Sequence, residues 1–171
     1  LVRAVVGWGG RGVRGDTDAP LVARARRLRE SLVAAGITKY NVGAATWTPP
    51  HDRARKLVLV PGQVESDASI AFGGGAIRSN LGLLRAARDA SPGAYVIYKP
   101  HPDVMAGLRD AASPTHATLA ACLELCDEVV VDVPMGRLLD AVDEVHVLTS
   151  LAGFEGLLRG KRVVTWGLPF Y

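Results

Sequence analysis

Tyr95-Val96-Ile97-Tyr98-Lys99-Pro100-His101-Pro102 reads as a buried strand that stops at a rigid corner. Four largely apolar residues have the length of a strand. The prolines on either side of His101 then restrict the backbone and hold the imidazole at the strand's carboxyl end. In open α/β sheets that edge is where ligands bind. A cation, a titratable ring and two rigid residues at such an edge point to a phosphate site.

Outward from this corner, strands alternate with helices. Before it, Leu57 to Val60 is a short apolar strand ended by Pro61-Gly62-Gln63. A glycine-rich bend follows (Gly73, Gly74, Gly75), and Ser79 or Asn80 starts a helix that Ser91-Pro92-Gly93 stops. After the corner, residues 103–110 and 115–125 read as helices and Val129 to Val131 as a strand. Pro134 opens a helix, Val145 to Leu148 is a strand, Leu151 to Arg159 a helix ended by Gly160, and Arg162 to Trp166 the last strand. Near the start, residues 2–8 read as a strand that breaks into a Gly/Arg loop. A helix from Asp18 to about Ala35 comes next, with Pro20 in its first turn and Gly36 as its stop. This alternation with short loops predicts an α/β fold: a Rossmann-like parallel sheet with helices on both faces.

The chain has 171 residues, 49% of them hydrophobic, enough for one full domain or one domain and part of another. Residues 44–56 are irregular, with Pro49 and Pro50 between Trp47 and a charged run, which suggests a linker. The net charge of +3 is a weak excess, part of it local to Arg24, Arg26, Arg27 and Arg29. No basic run is interleaved with aromatics, so nucleic acid is not an expected partner. No apolar run approaches the roughly 20 residues needed to cross a bilayer, and no signal peptide is visible. A start at Leu1 and an end at Phe170-Tyr171 suggest part of a longer protein. Cys122 and Cys126 fall four residues apart on one helical face and read as small core residues.

Chemistry-bearing residues gather just past strand ends. Pro61-Gly62-Gln63-Val64-Glu65-Ser66-Asp67 offers an amide and two carboxylates, candidates for a general base and a nucleophile or electrostatic stabiliser; a solvated polar loop would look the same. Lys99, His101 and Pro102 form the corner, where His101 could bind a phosphate or protonate a leaving group. Thr149 and Ser150 stand where a strand turns into a helix, a place of free amides and positive dipole, or an ordinary cap. Glu155 lies one turn further. Asp132 reads as a loop or cap residue and His146 as structural. No metal motif, G-x-G-x-x-G or Walker loop is present. Taken together, the clusters put phosphate-binding groups after neighbouring strands of one sheet, as a nucleotide site needs.

Four runs carry a resemblance: Ile37-Thr38-Lys39-Tyr40-Asn41-Val42-Gly43, Val60-Pro61-Gly62-Gln63-Val64-Glu65, Tyr98-Lys99-Pro100-His101-Pro102 and Thr149-Ser150-Leu151-Ala152-Gly153-Phe154-Glu155. They resemble the capsule polysaccharide biosynthesis family of retaining β-Kdo glycosyltransferases, and the closing Gly167-Leu168-Pro169-Phe170-Tyr171 does too. The resemblance implies a GT-B architecture. Residues 1–45 would be a remnant of the N-terminal, acceptor-side lobe, 46–56 a linker, and 57–171 the C-terminal CMP-sugar-binding lobe. It implies transfer of Kdo from CMP-Kdo, with retention, to build the β-Kdo linker of capsular polysaccharide on a phospholipid. Gln63, Glu65 and Asp67 would be catalytic. Lys99, His101, Pro102, Thr149, Ser150 and Glu155 would bind the nucleotide, His101 and Ser150 at its phosphate and Glu155 at its ribose. The family often has two acids after the Gln-x-Glu motif; here Ser66 and Asp67 follow, so Asp67 remains the candidate carboxylate.

No cofactor or metal is implied beyond the donor. The implied partners are CMP-Kdo, a glycolipid acceptor, the rest of the same polypeptide and capsule export machinery. The implied location is cytoplasmic, peripheral at the inner membrane of a Gram-negative bacterium. Two other readings stand beside this one: a catalytically silent nucleotide-binding or interaction module, and another GT-B-like nucleotide-sugar enzyme.

Overall fold

In the computed structural model the described residues are 4–6, 19–40, 43–51, 54–107 and 120–171. In chain order the elements are β1 (Ala4–Val6), α1 (Ala19–Ala34), β2 (Leu57–Pro61), α2 (Ala68–Gly73), α3 (Asn80–Ala90), β3 (Tyr95–Lys99), α4 (Pro102–Gly107), β4 (Glu128–Val129), α5 (Met135–Ala141), β5 (Glu144–Val147), α6 (Leu151–Leu158) and β6 (Arg162–Thr165). Residues 120–123 are also helical.

β2 is the centre of the sheet because every one of its residues is apolar and buried, which only a strand covered on both faces tolerates. Its side chains alternate between two cores. Val58 and Val60 pack with Leu83, Leu84 and Ala87 of α3 and with Val96, Tyr98, Val164 and Trp166. Leu57 and Leu59 pack with Leu138 and Leu139 of α5 and with Ile97, Val145 and Val163. Helices therefore cover both faces. Each fully buried Leu or Val contributes about 1.5–3 kcal/mol.

The sheet order is β1-β6-β5-β2-β3-β4. β2 runs parallel to β3 in the register Leu57↔Tyr95 to Pro61↔Lys99, and parallel to β5 through Leu59↔Val145. β4 and β6 continue the parallel set on the two sides. From β2 the chain steps outward to β3 and β4, then returns to β5 on the other flank of β2. That reversal is a topological switch point, and the crevice above it is the place where such sheets bind ligands.

Several expectations change in detail. α2, not expected from the sequence, precedes the glycine-rich bend and ends at its first glycine, Gly73; Asp67 starts it by accepting a hydrogen bond from the Ser69 amide, and a one-and-a-half-turn helix is too short to show periodicity. The strand expected at Val129 to Val131 is Glu128–Val129. The helix expected over 103–110 is α4, and its later residues, with the start of the one expected from 115, lie outside the described residues, as does the Asp18 cap. β1 adds an antiparallel edge to the otherwise parallel sheet, pairing Ala4↔Thr165. Segment 43–51 has no regular structure, yet Trp47 and Ala45 pack on the second core, and the Trp47 indole donates to Glu128 Oε1 at 2.8 Å. Gly36 (φ 65°) ends α1 as expected.

At the opposite edge of the sheet, by the amino ends of β2, β5 and β6, a charge cluster surrounds buried Glu144. Glu144, fully buried on β5, accepts from Lys56 Nζ at 2.5 Å, from Arg162 Nη1, and from His146 Nε2 at 2.6 Å. His146 Nδ1 in turn accepts from the Trp166 indole at 3.1 Å, so the ring proton toward Glu144 sits on Nε2. His146 is structural, as read. Burial pushes the Glu144 carboxyl up, but the hydrogen bonds from His146 and Lys56, with the Lys56 charge, outweigh it and bring it down to about 2. Cys122 is buried beside Tyr98, and Cys126 packs on the same core.

Candidate functional site

Three strand ends meet above the switch point. The Gly62 amide donates to Lys99 O at 2.8 Å and extends the β2–β3 pairing by one rung. A side chain at Gly62 would not fit there: its Cβ would lie 2.9 Å from Tyr98 Oη and 3.2 Å from the His101 amide. Glycine is thus what lets the two corners close on each other.

Gln63 joins this pair to the β5 corner. Its buried side chain donates from Nε2 to Thr149 Oγ1 at 3.0 Å and accepts at Oε1 from the Thr149 amide at 3.1 Å. Its backbone exchanges two hydrogen bonds with the Asn80 side chain, at 2.8 and 2.9 Å. Glu65 Oε1 accepts from the Asn80 amide at 2.7 Å, at the start of α3. Ser69 Oγ lies 3.0 Å from Thr149 Oγ1. The Gln63 amide and the Thr149 hydroxyl are therefore engaged in holding three loops together.

A cavity of about 460 Å³ opens over these corners. Of the residues singled out in the sequence, Gln63, Asp67, Lys99, His101, Pro102, Thr149, Ser150 and Glu155 line it; Glu65 does not. Lys99 is buried and donates to Val131 O at 2.9 Å. Burial pulls its pKa down, against the Asp132 charge. His101 Nδ1 accepts from the Asp103 amide at 3.2 Å, which in the neutral ring puts the proton on Nε2. Ser150 starts α6 by accepting from the Ala152 amide at 3.2 Å, and Tyr171 Oη donates to Ser150 O at 2.9 Å. Lys99, at the end of β3, and Ser150, after β5, stand on the two flanks of β2 and line the same cavity. The result is a crevice with a cation and an imidazole on one side and a helix start on the other, suited to an anion.

The carboxylates differ in state. Hydrogen bonds from the Ser69 backbone and hydroxyl hold the exposed Asp67 below the usual carboxylate range. Burial pushes the Glu155 carboxyl up, although the Lys39 amide and the nearby Arg159 charge oppose it.

The site also contains residues that the strand-end reading missed. Lys39 and Tyr40 line the cavity, as do Met135 and Phe170. The Lys39 amide donates to Glu155 Oε1 at 2.6 Å. The Tyr40 ring meets His101 edge-on at 5.8 Å. Their signal in the sequence was the run Ile37 to Gly43, which stands far from any strand end of the parallel sheet.

A family model described as capsule polysaccharide biosynthesis protein matches residues 24–171. The chain belongs to that family. Within the capsule polysaccharide biosynthesis family, it is 45% identical over 147 residues to the capsule polysaccharide modification protein LipA of Neisseria meningitidis serogroup B, covering 86% of this chain and 20% of that protein. It is 45% identical over 157 residues to the lipopolysaccharide-processing protein LpsZ of Rhizobium meliloti, covering 90% of this chain and 34% of LpsZ. Among solved structures it is similar to Thermosulfurimonas dismutans KpsC, beta Kdo 2,7 transferase, with a TM-score of 0.70 and 41% identity over 90% of this chain and 44% of that one. A second KpsC structure, beta Kdo 2,4 transferase, gives a TM-score of 0.66 and 27% identity over 96% of this chain and 49% of that one. The chain thus spans a fifth to a third of these curated relatives and under half of the solved chains. The family resemblance and the Rossmann-like α/β fold read from the sequence both hold.

Proposed function

We propose that this chain is the donor-binding part of a glycosyltransferase that transfers Kdo from CMP-Kdo, with retention, to a phospholipid-linked acceptor in capsule synthesis. The observation that carries the reading is the meeting of Lys99, His101 and the Ser150 helix start in one crevice at the switch point. The likeness to chains described as Kdo transferases supplies the sugar.

In this reading His101 Nε2–H and the amides at the start of α6 bind the phosphate of CMP. They stabilise the negative charge that grows on it as the glycosidic bond breaks. Buried Lys99 adds charge where water is scarce. Glu155 Oε1 is occupied by Lys39, which leaves Oε2 for a ribose hydroxyl. Asp67, ionised at the cavity rim, is the candidate carboxylate for the sugar side, and Gln63 sets the distance between the two halves of the crevice. Residues 57–171 act as the nucleotide-binding lobe, and the acceptor is met by parts of the polypeptide beyond this lobe. The enzyme works on the cytoplasmic face of the inner membrane; among the described residues no helix is long and apolar enough to cross it.

One observation favours a second reading, a silent nucleotide-binding module. Glu65 is engaged at the start of α3 and Gln63 at Thr149, so two of the three candidate catalytic groups already have structural partners. Calorimetric titration with CMP, CMP-Kdo and UDP-sugars tests the donor, and absence of cytidine nucleotide binding sinks the first reading. Transfer of Kdo by a chain that carries both lobes separates the two, since any product excludes the silent module.

A further inference from the structure

We propose that Lys39 is a ligand-binding residue of this cavity and takes the carboxylate of a sugar acid, while the Lys99, His101 and Ser150 side takes the phosphate. The inference rests on the donor reading above and extends it to which group of the donor each cation meets. Segment 38–40 comes from outside the parallel α/β unit and is fastened to it as a wall. Its clip is the bond from the Lys39 amide to Glu155 Oε1, and Thr38 Oγ1 braces the turn by donating to Tyr40 O at 3.0 Å. Because the clip uses the backbone, the Lys39 side chain is not consumed by it.

The ammonium instead lies 4.7 Å from the centre of the Tyr40 ring. That ring meets His101 edge-on, with the planes at 87°. Tyr40 therefore links the Lys39 charge to the phosphate corner and keeps both at the cavity. Among the described residues Lys39 is in no ion pair with a carboxylate; its charged form is favoured first by the Tyr40 side chain, against burial, and then by the Asp67 and Glu155 charges. An ammonium held on an aromatic face at a cavity wall can turn to an incoming anion at small cost.

The cavity so presents two separate cations, buried Lys99 at the end of β3 and Lys39 on the added wall. A nucleoside monophosphate joined to a neutral sugar brings one anionic group; joined to a sugar acid it brings two. The second cation fits the second anion, and makes the site select the acid.

The test is calorimetric titration of the wild type, Lys39→Gln and Lys39→Arg with CMP, with free Kdo and with fresh CMP-Kdo. The expected result for Lys39→Gln is a loss of about tenfold or more for Kdo and CMP-Kdo and under about twofold for CMP, with Lys39→Arg close to wild type. Equal losses for CMP and CMP-Kdo, or no loss, overturn the inference and leave the cytidine reading standing. Lys39-dependent binding of Kdo by a protein that ignores CMP supports the inference and removes the cytidine reading. A wild type that binds neither ligand overturns both.

Discussion

The Lys39 amide and the Glu155 carboxylate, 116 positions apart, meet at 2.6 Å. This bond fastens the segment after α1 to the first turns of α6, and it puts Tyr40 against His101. Glu155 is buried, so its loss leaves an amide without an acceptor beside a cavity. Glu155→Ala should cost about 1.5–3 kcal/mol, the scale of a hydrogen bond to a charged group, and Glu155→Gln less because an oxygen acceptor remains. Urea unfolding at unchanged m-value checks both. The Lys39 amide should lose protection in hydrogen exchange in the Ala variant only.

Gln63 is expected to act on stability as well as on activity. Gln63→Ala leaves the buried Thr149 amide unpaired, at about 1–3 kcal/mol where water does not replace the acceptor, while the Thr149 hydroxyl keeps Ser69 Oγ at 3.0 Å. A lower urea midpoint is the expected outcome. A variant that keeps its midpoint and loses only transfer would show that Gln63 serves the reaction alone.

His101→Ala should weaken CMP binding by about 1.5–3 kcal/mol, the scale of a charge-assisted hydrogen bond. His101 stands on the cavity wall, so the thermal midpoint should hardly move. Unchanged affinity would mean that the imidazole only shapes the corner.

The buried Glu144 cluster sets an acid limit. Its carboxyl falls from an ordinary 4.5 to about 2 in the folded chain. A lowered pKa means that the unfolded chain takes up the proton first. The stabilisation is therefore complete above pH 4.5 and is lost as pH falls from there toward 2. Glu144→Gln should lower stability at neutral pH and flatten this acid limb, as read by urea midpoints from pH 7 to 3.

Much of the site was legible because strand ends carry their own signal. The apolar run before Lys99-Pro100-His101-Pro102 marked β3, and Thr149-Ser150 marked the turn into α6. Parallel pairing then brings such ends to one edge whatever lies between them. α2 was not legible, since six residues show no helical period. Glu65 gave the wrong impression of its surroundings: an acid after a strand looks the same whether it faces a cavity or, as here, an amide at the start of α3. Lys39 and Tyr40 entered only through the family resemblance, with no role attached.

By itself the amino-acid sequence determined the alternation of strands and helices, the parallel central sheet and the family, because these rest on local periodicity, turn residues and short motifs. The tertiary structure alone decided which polar groups are spent on the scaffold and which face the cavity. Gln63 is tied to Thr149, Glu65 to Asn80 and Glu155 to Lys39 by hydrogen bonds between distant residues. Such partners are chosen by how the strands and helices pack in three dimensions, and no spacing along the chain encodes that choice.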